Sequence, residues 1–294
     1  MKLNTVFKNE LRLNARTMKI AWLVFVVNFI LTFFSSYLFF NIVNRAKSVG
    51  SIDYPETLNA YLLLTAIEFI ILLVVLPAFT ASSISGEREK QTLDILLASK
   101  LTPLQIVFGK LEACLGIVCI LSISSLPALS IIFAFGGISI LDLTIFLLIM
   151  LVSAIFIGSI GIFFSSFFKK TTAATMASYG VLLLITLGTL VIIYIIYSAL
   201  DSKTLYNYMY KADLGAALYI LLINPAINFL GMITQQVGNG KELLLQFNRL
   251  GDYNNDFIVK NWTIISFMIQ MLLSFVMLAA AARCVNPLQR KHKK

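Results

Sequence analysis

The chain has 294 residues, 59% of them hydrophobic and 13% charged, with a mean hydropathy of +0.89. A soluble globular domain is roughly 45–50% apolar and about 25% charged, so the composition excludes a soluble fold and defines an all-α polytopic membrane protein. The net charge of +9 does not call for nucleic acid as a partner, because in such a chain the placement of the charges carries the information. Cys114, Cys119 and Cys284 lie in apolar runs without metal or disulfide spacing, and His292 is the only histidine. No catalytic residue, cofactor site or metal site is expected.

The first segment, 1–19, is basic and lacks the short apolar core and small-residue cleavage site of a removable signal, so the chain is expected to be mature as written. On a helical wheel Lys8, Arg12, Arg16 and Lys19 share one face, and Leu3, Phe7, Leu11 and Met18 share another. That is the pattern of an interfacial helix lying in the membrane surface with its cations toward anionic headgroups. A plain basic lead-in is the alternative.

A membrane-crossing helix needs about 20 predominantly apolar residues. Such stretches occur at 20–40, 60–83, 104–135, 138–168, 173–200 and 262–284, giving one transmembrane domain over 1–294 with six spans. Sixteen of the 23 Lys and Arg residues then fall on the face holding both termini, the 84–110 stretch and Lys169-Lys170. By the positive-inside bias that face is cytoplasmic. The 201–261 connection is expected outside, and it holds a further apolar run, 214–233, interrupted by Asn224-Pro225. The residue before a proline avoids helical geometry, which favours two half-helices that dip in and return. A seventh span is the alternative, and it lowers the cytoplasmic count to 14 of 23.

Between the second and third spans lies SGEREKQTLDILLASKLTPLQIVFGK, a dense polar segment. Leu93, Leu96 and Leu97 share one helical face and Glu87, Gln91 and Asp94 another, so the periodicity predicts a single amphipathic helix over 86–99. Thr102, Pro103 and Gln105 read as a new helix start, with Thr102 as N-cap and Gln105 closing a capping box. Lys110 follows, placed to snorkel toward the interface. The whole stretch, 84–103, is a cytoplasmic hairpin whose leucine stripe suits docking of a soluble partner, or else a solvated loop whose charges mark the inside.

This hairpin resembles the corresponding segment of ABC-2 type transporter permeases, the membrane subunits of ATP-driven exporters, at Glu87, Arg88, Glu89, Thr92, Leu93, Leu96, Leu97, Pro103, Gly109 and Lys110. That family usually has Gly before the Thr where this chain has Gln91, a departure expected to change local helix propensity without touching the docking face. FKNELRLNAR, GIFFSSFFKKTTAAT and LLINPAINFLG are similar to the family's surface helix, fourth connection and extracellular segment. The resemblance implies an exporter in the cell membrane and a hairpin helix that couples to a partner. That partner is a pair of separate ABC ATPase subunits holding ATP and Mg. It also implies a second permease copy or a related permease, and an extracellular gate at Asn224 and Pro225. No phosphate-cradling G-x-x-x-x-G-K-[ST] loop occurs in the chain, since Gly109-Lys110 is followed by Leu111 and Gly240-Lys241 by Glu242.

Ionisable groups within a span are expensive and are functional candidates by default. Glu68 in the second span faces either a substrate path or an interface between permeases, or is a structural hydrogen-bonded carboxyl. A secondary transporter or channel driven by an ion gradient through Glu68 is the competing function. Asn28 in the first span, and Ser153, Gly158 and Gly161 in the fourth, are expected to serve close helix packing.

Overall fold

The computed structural model describes residues 17–50, 54–98, 101–133, 139–204, 213–237 and 256–285, together with Phe7, Glu10, Leu245, Phe247, Asn248, Leu250, Gly251 and Tyr253. The interfacial helix expected over 1–19 therefore lies mostly outside the described residues. Among these the secondary structure is helical, without strands. Six helices are long and apolar enough to cross a membrane, and they fall where the apolar runs place them. They are α1 (Met18–Val49), α2 (Tyr54–Ser82), α5 (Pro103–Phe133), α6 (Ile140–Phe167), the α7–α8 span and α11 (Trp262–Val285). The α7–α8 span runs through α7 (Thr171–Leu183), a π-helical turn (Leu184–Gly188) and α8 (Thr189–Thr204). The short helices are α3 (Ser85–Glu89), α4 (Leu93–Leu97), α9 (Pro225–Val237) and α10 (Phe257–Lys260).

The chain forms two compact units, one of residues 1–179 and 273–294, the other of residues 180–272. In the first, α1, α2 and α5 share a core of Val27, Leu31, Ile117, Leu121 and Ala128, flanked by Ile67, Ile71 and Val75. Lipid tails are as apolar as these side chains, so burial alone gives little drive for helices to associate and close backbone approach must supply it. The expected small residues of the fourth span provide that approach. A Cβ placed on Gly161 would meet Thr80 Cβ at 2.7 Å and the Ala81 backbone nitrogen at 3.2 Å, and one on Gly158 would meet Leu111 Cδ1 at 2.8 Å. Ser153 is buried on the same helix. The opposite situation holds along α1, where Trp22, Phe25, Phe29, Phe33 and Phe40 all lie exposed, an aromatic stripe suited to hydrocarbon.

The second unit is built around the interrupted apolar run. A 3₁₀ segment, Gly215–Ile223, and α9 meet at Asn224 with a bend of 95°. A 3₁₀ run beyond three or four residues is uncommon because its hydrogen bonds are poorly aligned, and this one is held by packing. Leu218, Leu221 and Leu222 sit in a core with Ile193, Phe247, Tyr253, Val259 and Trp262.

Candidate functional site

The hairpin departs from the expected single helix. It consists of α3 and α4 separated by Lys90, Gln91 and Thr92, with Gln91 in the left-handed region at φ 58°. This conformation costs a non-glycine residue roughly 1–2 kcal/mol, a cost glycine escapes. Gln91 at this position is thus a matter of backbone strain and not only of helix propensity. The break is closed by Thr92, whose N–H donates to the Glu87 carbonyl at 2.9 Å and whose hydroxyl donates to the same oxygen at 3.2 Å.

The three consecutive charges each reach a different span. Glu87 pairs with Lys110 of α5, and Lys110 Nζ also donates to Glu10 Oε1 at 2.7 Å, while the lysine side chain is only 3% exposed. Arg88 donates from Nη1 to the Phe168 carbonyl and from Nη2 to the Ser166 carbonyl, both at 2.9 Å. These oxygens belong to the C-terminal turn of α6, which has no intrahelical donors left for them and carries the negative end of the helix dipole. Glu89 accepts from the Thr171 N–H at 2.9 Å and the Thr171 hydroxyl at 3.0 Å. Thr171 opens α7, where free N–H groups make the positive end. A cation meets a helix C-terminus and an anion meets a helix N-terminus, so both contacts have the favourable sign. Two further bonds fix the entry to α3, from the Ile84 and Ser85 N–H groups to Ser165 Oγ, each 2.9 Å.

The leucine stripe turns inward and not toward solvent. Leu93 is buried with Ile84, Val107, Leu111, Ile162, Leu278 and Ala281, and Leu97 packs partly against this cluster. Leu96 is half-buried. The outward surface is instead Lys90, Gln91, Thr92, Asp94, Ile95 and Ala98, with Ile95 73% exposed. Beyond it the helix start over 102–105 is as read from the sequence. Thr102 N–H donates to Gln105 Oε1 at 2.9 Å, Gln105 N–H donates to Thr102 Oγ1 at 3.3 Å, and Pro103 is the first residue of α5.

The elbow at Asn224 is a second constellation. Asn224 Nδ2 donates to the Thr186 carbonyl and to Thr189 Oγ1, both 2.8 Å, while its Oδ1 accepts from the Ala226 and Ile227 N–H groups at 2.9 and 3.3 Å. One buried amide thus caps α9 and engages a carbonyl inside the π-helical turn. From α11, Ser266 donates to the Leu222 carbonyl at 2.6 Å, and Gln270 Nε2 donates to Ser266 Oγ at 3.2 Å. A break between helices frees backbone polar groups that need partners, and here flanking side chains bond the Thr186 and Leu222 carbonyls.

Glu68 is 4% exposed, and its Oε1 accepts from Ser125 of α5 at 2.9 Å. It borders a small cavity of about 20 Å³ with Val27, Leu72, Val118 and Ser122, room for about one water. Asn28 donates to the Val24 carbonyl at 2.8 Å and to Ser124 Oγ at 2.9 Å. Both residues therefore link α5 to its neighbours inside the first unit.

The sequence reading missed Ser165, Ser166, Thr171 and Glu10 at the hairpin, and Thr186, Thr189, Ser266 and Gln270 at the elbow. Glu10 carried a signal, being the only acid in the basic segment 1–19. Small hydroxyls inside spans give none, because they are common in membrane helices for packing reasons.

A helical membrane domain whose polar hairpin is tied to three spans, and which contains an interrupted apolar elbow, defines a multi-pass transport permease. The model of the ABC-2 family transporter proteins matches residues 4–284, and the chain belongs to that family. No curated protein matches the chain.

Proposed function

We propose that this permease is the membrane subunit of an ATP-driven exporter in the cell membrane. Two separate ABC ATPase subunits bind ATP and Mg, and a second permease copy or a related permease completes the pathway. Both termini and the hairpin face the cytoplasm. The observation that carries the reading is the three-way attachment of Glu87, Arg88 and Glu89. A hairpin bonded to the starts of α5 and α7 and the end of α6 cannot shift without moving those spans. Coupling through packed elements with discrete arrangements needs such rigid joints.

On this reading the charges of the Glu-Arg-Glu cluster brace the hairpin, and the ATPase grips the outward surface around Asp94 and Ile95. The elbow at Asn224 and Pro225 enters the membrane from outside and returns, closing the pathway against the exterior. Glu68, hydrogen-bonded inside one permease, supports a structural role better than an ion-carrying one. The test is copurification. A tagged permease with Ile95→Asp and Asp94→Lys is expected to lose most of the ATPase while keeping its thermal stability. Undiminished copurification would refute the assignment of that surface.

A further inference from the structure

We propose that the cavity at the hairpin end of α1, α2 and α5 is a specific site for the phosphodiester headgroup of an anionic phospholipid. The cavity holds about 410 Å³, within the range of small-molecule sites. It lies where α1 begins, α2 ends and α5 begins, which is the boundary between hydrocarbon and water for three spans. Phe79, Ala113, Cys114 and Ile117 line its apolar side, while Lys19, Lys90, Ser82 and Ser83 line its polar side.

The charges select the ligand. Lys110 lines the cavity together with Glu10 and Glu87 and is already paired with both, so this set carries one net negative charge. Lys19 and Lys90 add two positive charges and form no ion pair among the described residues. The lining is therefore cationic by one unit, which suits one phosphodiester. A phosphodiester supplies the anion for the two lysines. The acyl chains would continue along the apolar side into the bilayer. A lipid bound here would tie the start of α1 to the hairpin. This inference stands apart from the transport reading, because lipid retention is measured without ATPase or substrate.

The experiment is native mass spectrometry of the full chain released from mixed phosphatidylcholine and dioleoyl-phosphatidylglycerol. Three proteins are compared: wild type, Lys19→Gln with Lys90→Gln, and a control with Lys169→Gln and Lys170→Gln that removes the same charge elsewhere. Each lysine near an anionic headgroup contributes about a factor of five in affinity. The first pair is therefore expected to lower phosphatidylglycerol retention roughly thirtyfold, and the control to leave it within about twofold. Equal loss in the two variants would overturn the proposal, since it signals diffuse attraction only. So would binding of inorganic phosphate in place of phosphatidylglycerol with the same lysine dependence. Loss of ATPase copurification in the first variant with lipid retention unchanged would overturn it as well, assigning the lysines to a protein partner.

Discussion

Replacing Lys110 by Met removes the cation that pairs with both Glu10 and Glu87. The lysine side chain is 3% exposed, and the two carboxylates are 24% and 21% exposed. Removing one partner of a buried ion pair costs about 3–5 kcal/mol, because the remaining charge is left uncompensated. Partial exposure of both carboxylates places the cost near the lower end, about 3 kcal/mol. That is a large share of the roughly 5–15 kcal/mol by which a folded domain is stable. The loss should be local, appearing as faster amide exchange over 85–98 and a lower thermal midpoint of the detergent-solubilised permease. Replacing the whole set, with Lys110→Met, Glu10→Gln and Glu87→Gln together, is expected to recover the midpoint to within about 1 kcal/mol of wild type. Exchanging a complete buried charge cluster for neutral groups is often close to neutral. An unchanged midpoint in Lys110→Met, or a triple variant no better than the single one, would refute the idea that this lysine is the joint between hairpin and α5.

Four further outcomes follow from the geometry. Gly161→Ala forces a methyl against Thr80 and the Ala81 backbone, so it should destabilise by about 1–3 kcal/mol as overpacking does, read as a lower thermal midpoint. Gln91→Gly relieves a left-handed φ of 58° and is expected to stabilise the hairpin by about 0.5–1 kcal/mol after the entropy cost of glycine, slowing amide exchange over 85–98. Asn224→Ala removes two donated and two accepted bonds and should cost about 2–3 kcal/mol, whereas Asn224→Asp keeps the cap on α9 and should lose less. The Asp256 carboxyl is held below its ordinary range by its hydrogen bond from Tyr219 and by capping the Ile258 N–H. Its contribution is present above the ordinary carboxylate pKa and is lost as the pH falls through the lowered value, so acidification should open α10 in wild type but give a flatter exchange profile over 256–260 in Asp256→Asn.

Much of the fold was legible because hydrocarbon leaves few choices. An apolar run of sufficient length must be a helix when its backbone has no water to bond, and Asn224-Pro225 marks a break because proline removes a donor. The Thr102 cap was readable because its three parts lie within four residues. The direction of the leucine stripe was not readable: an apolar helical face is the same pattern whether it meets a partner or the chain's own α5, α6 and α11. The destinations of the charges were hidden for another reason. Arg88 reaches Ser166 and Lys110 reaches Glu10 across about 80 to 100 positions, and no local spacing records such pairs. The break at Gln91 was hidden because left-handed backbone usually announces itself as glycine, and here a side chain stands in that place.

The central claim is that the spans move because ATPases pull on a rigidly bracketed hairpin. It is tested most directly by transport in proteoliposomes holding the complex purified through a tag on this permease. Cargo movement should require ATP hydrolysis by copurified ABC subunits, and should stop with Arg88→Ala even though ATPase subunits remain bound. Cargo movement driven by an ion gradient in vesicles free of any ATPase would contradict the account.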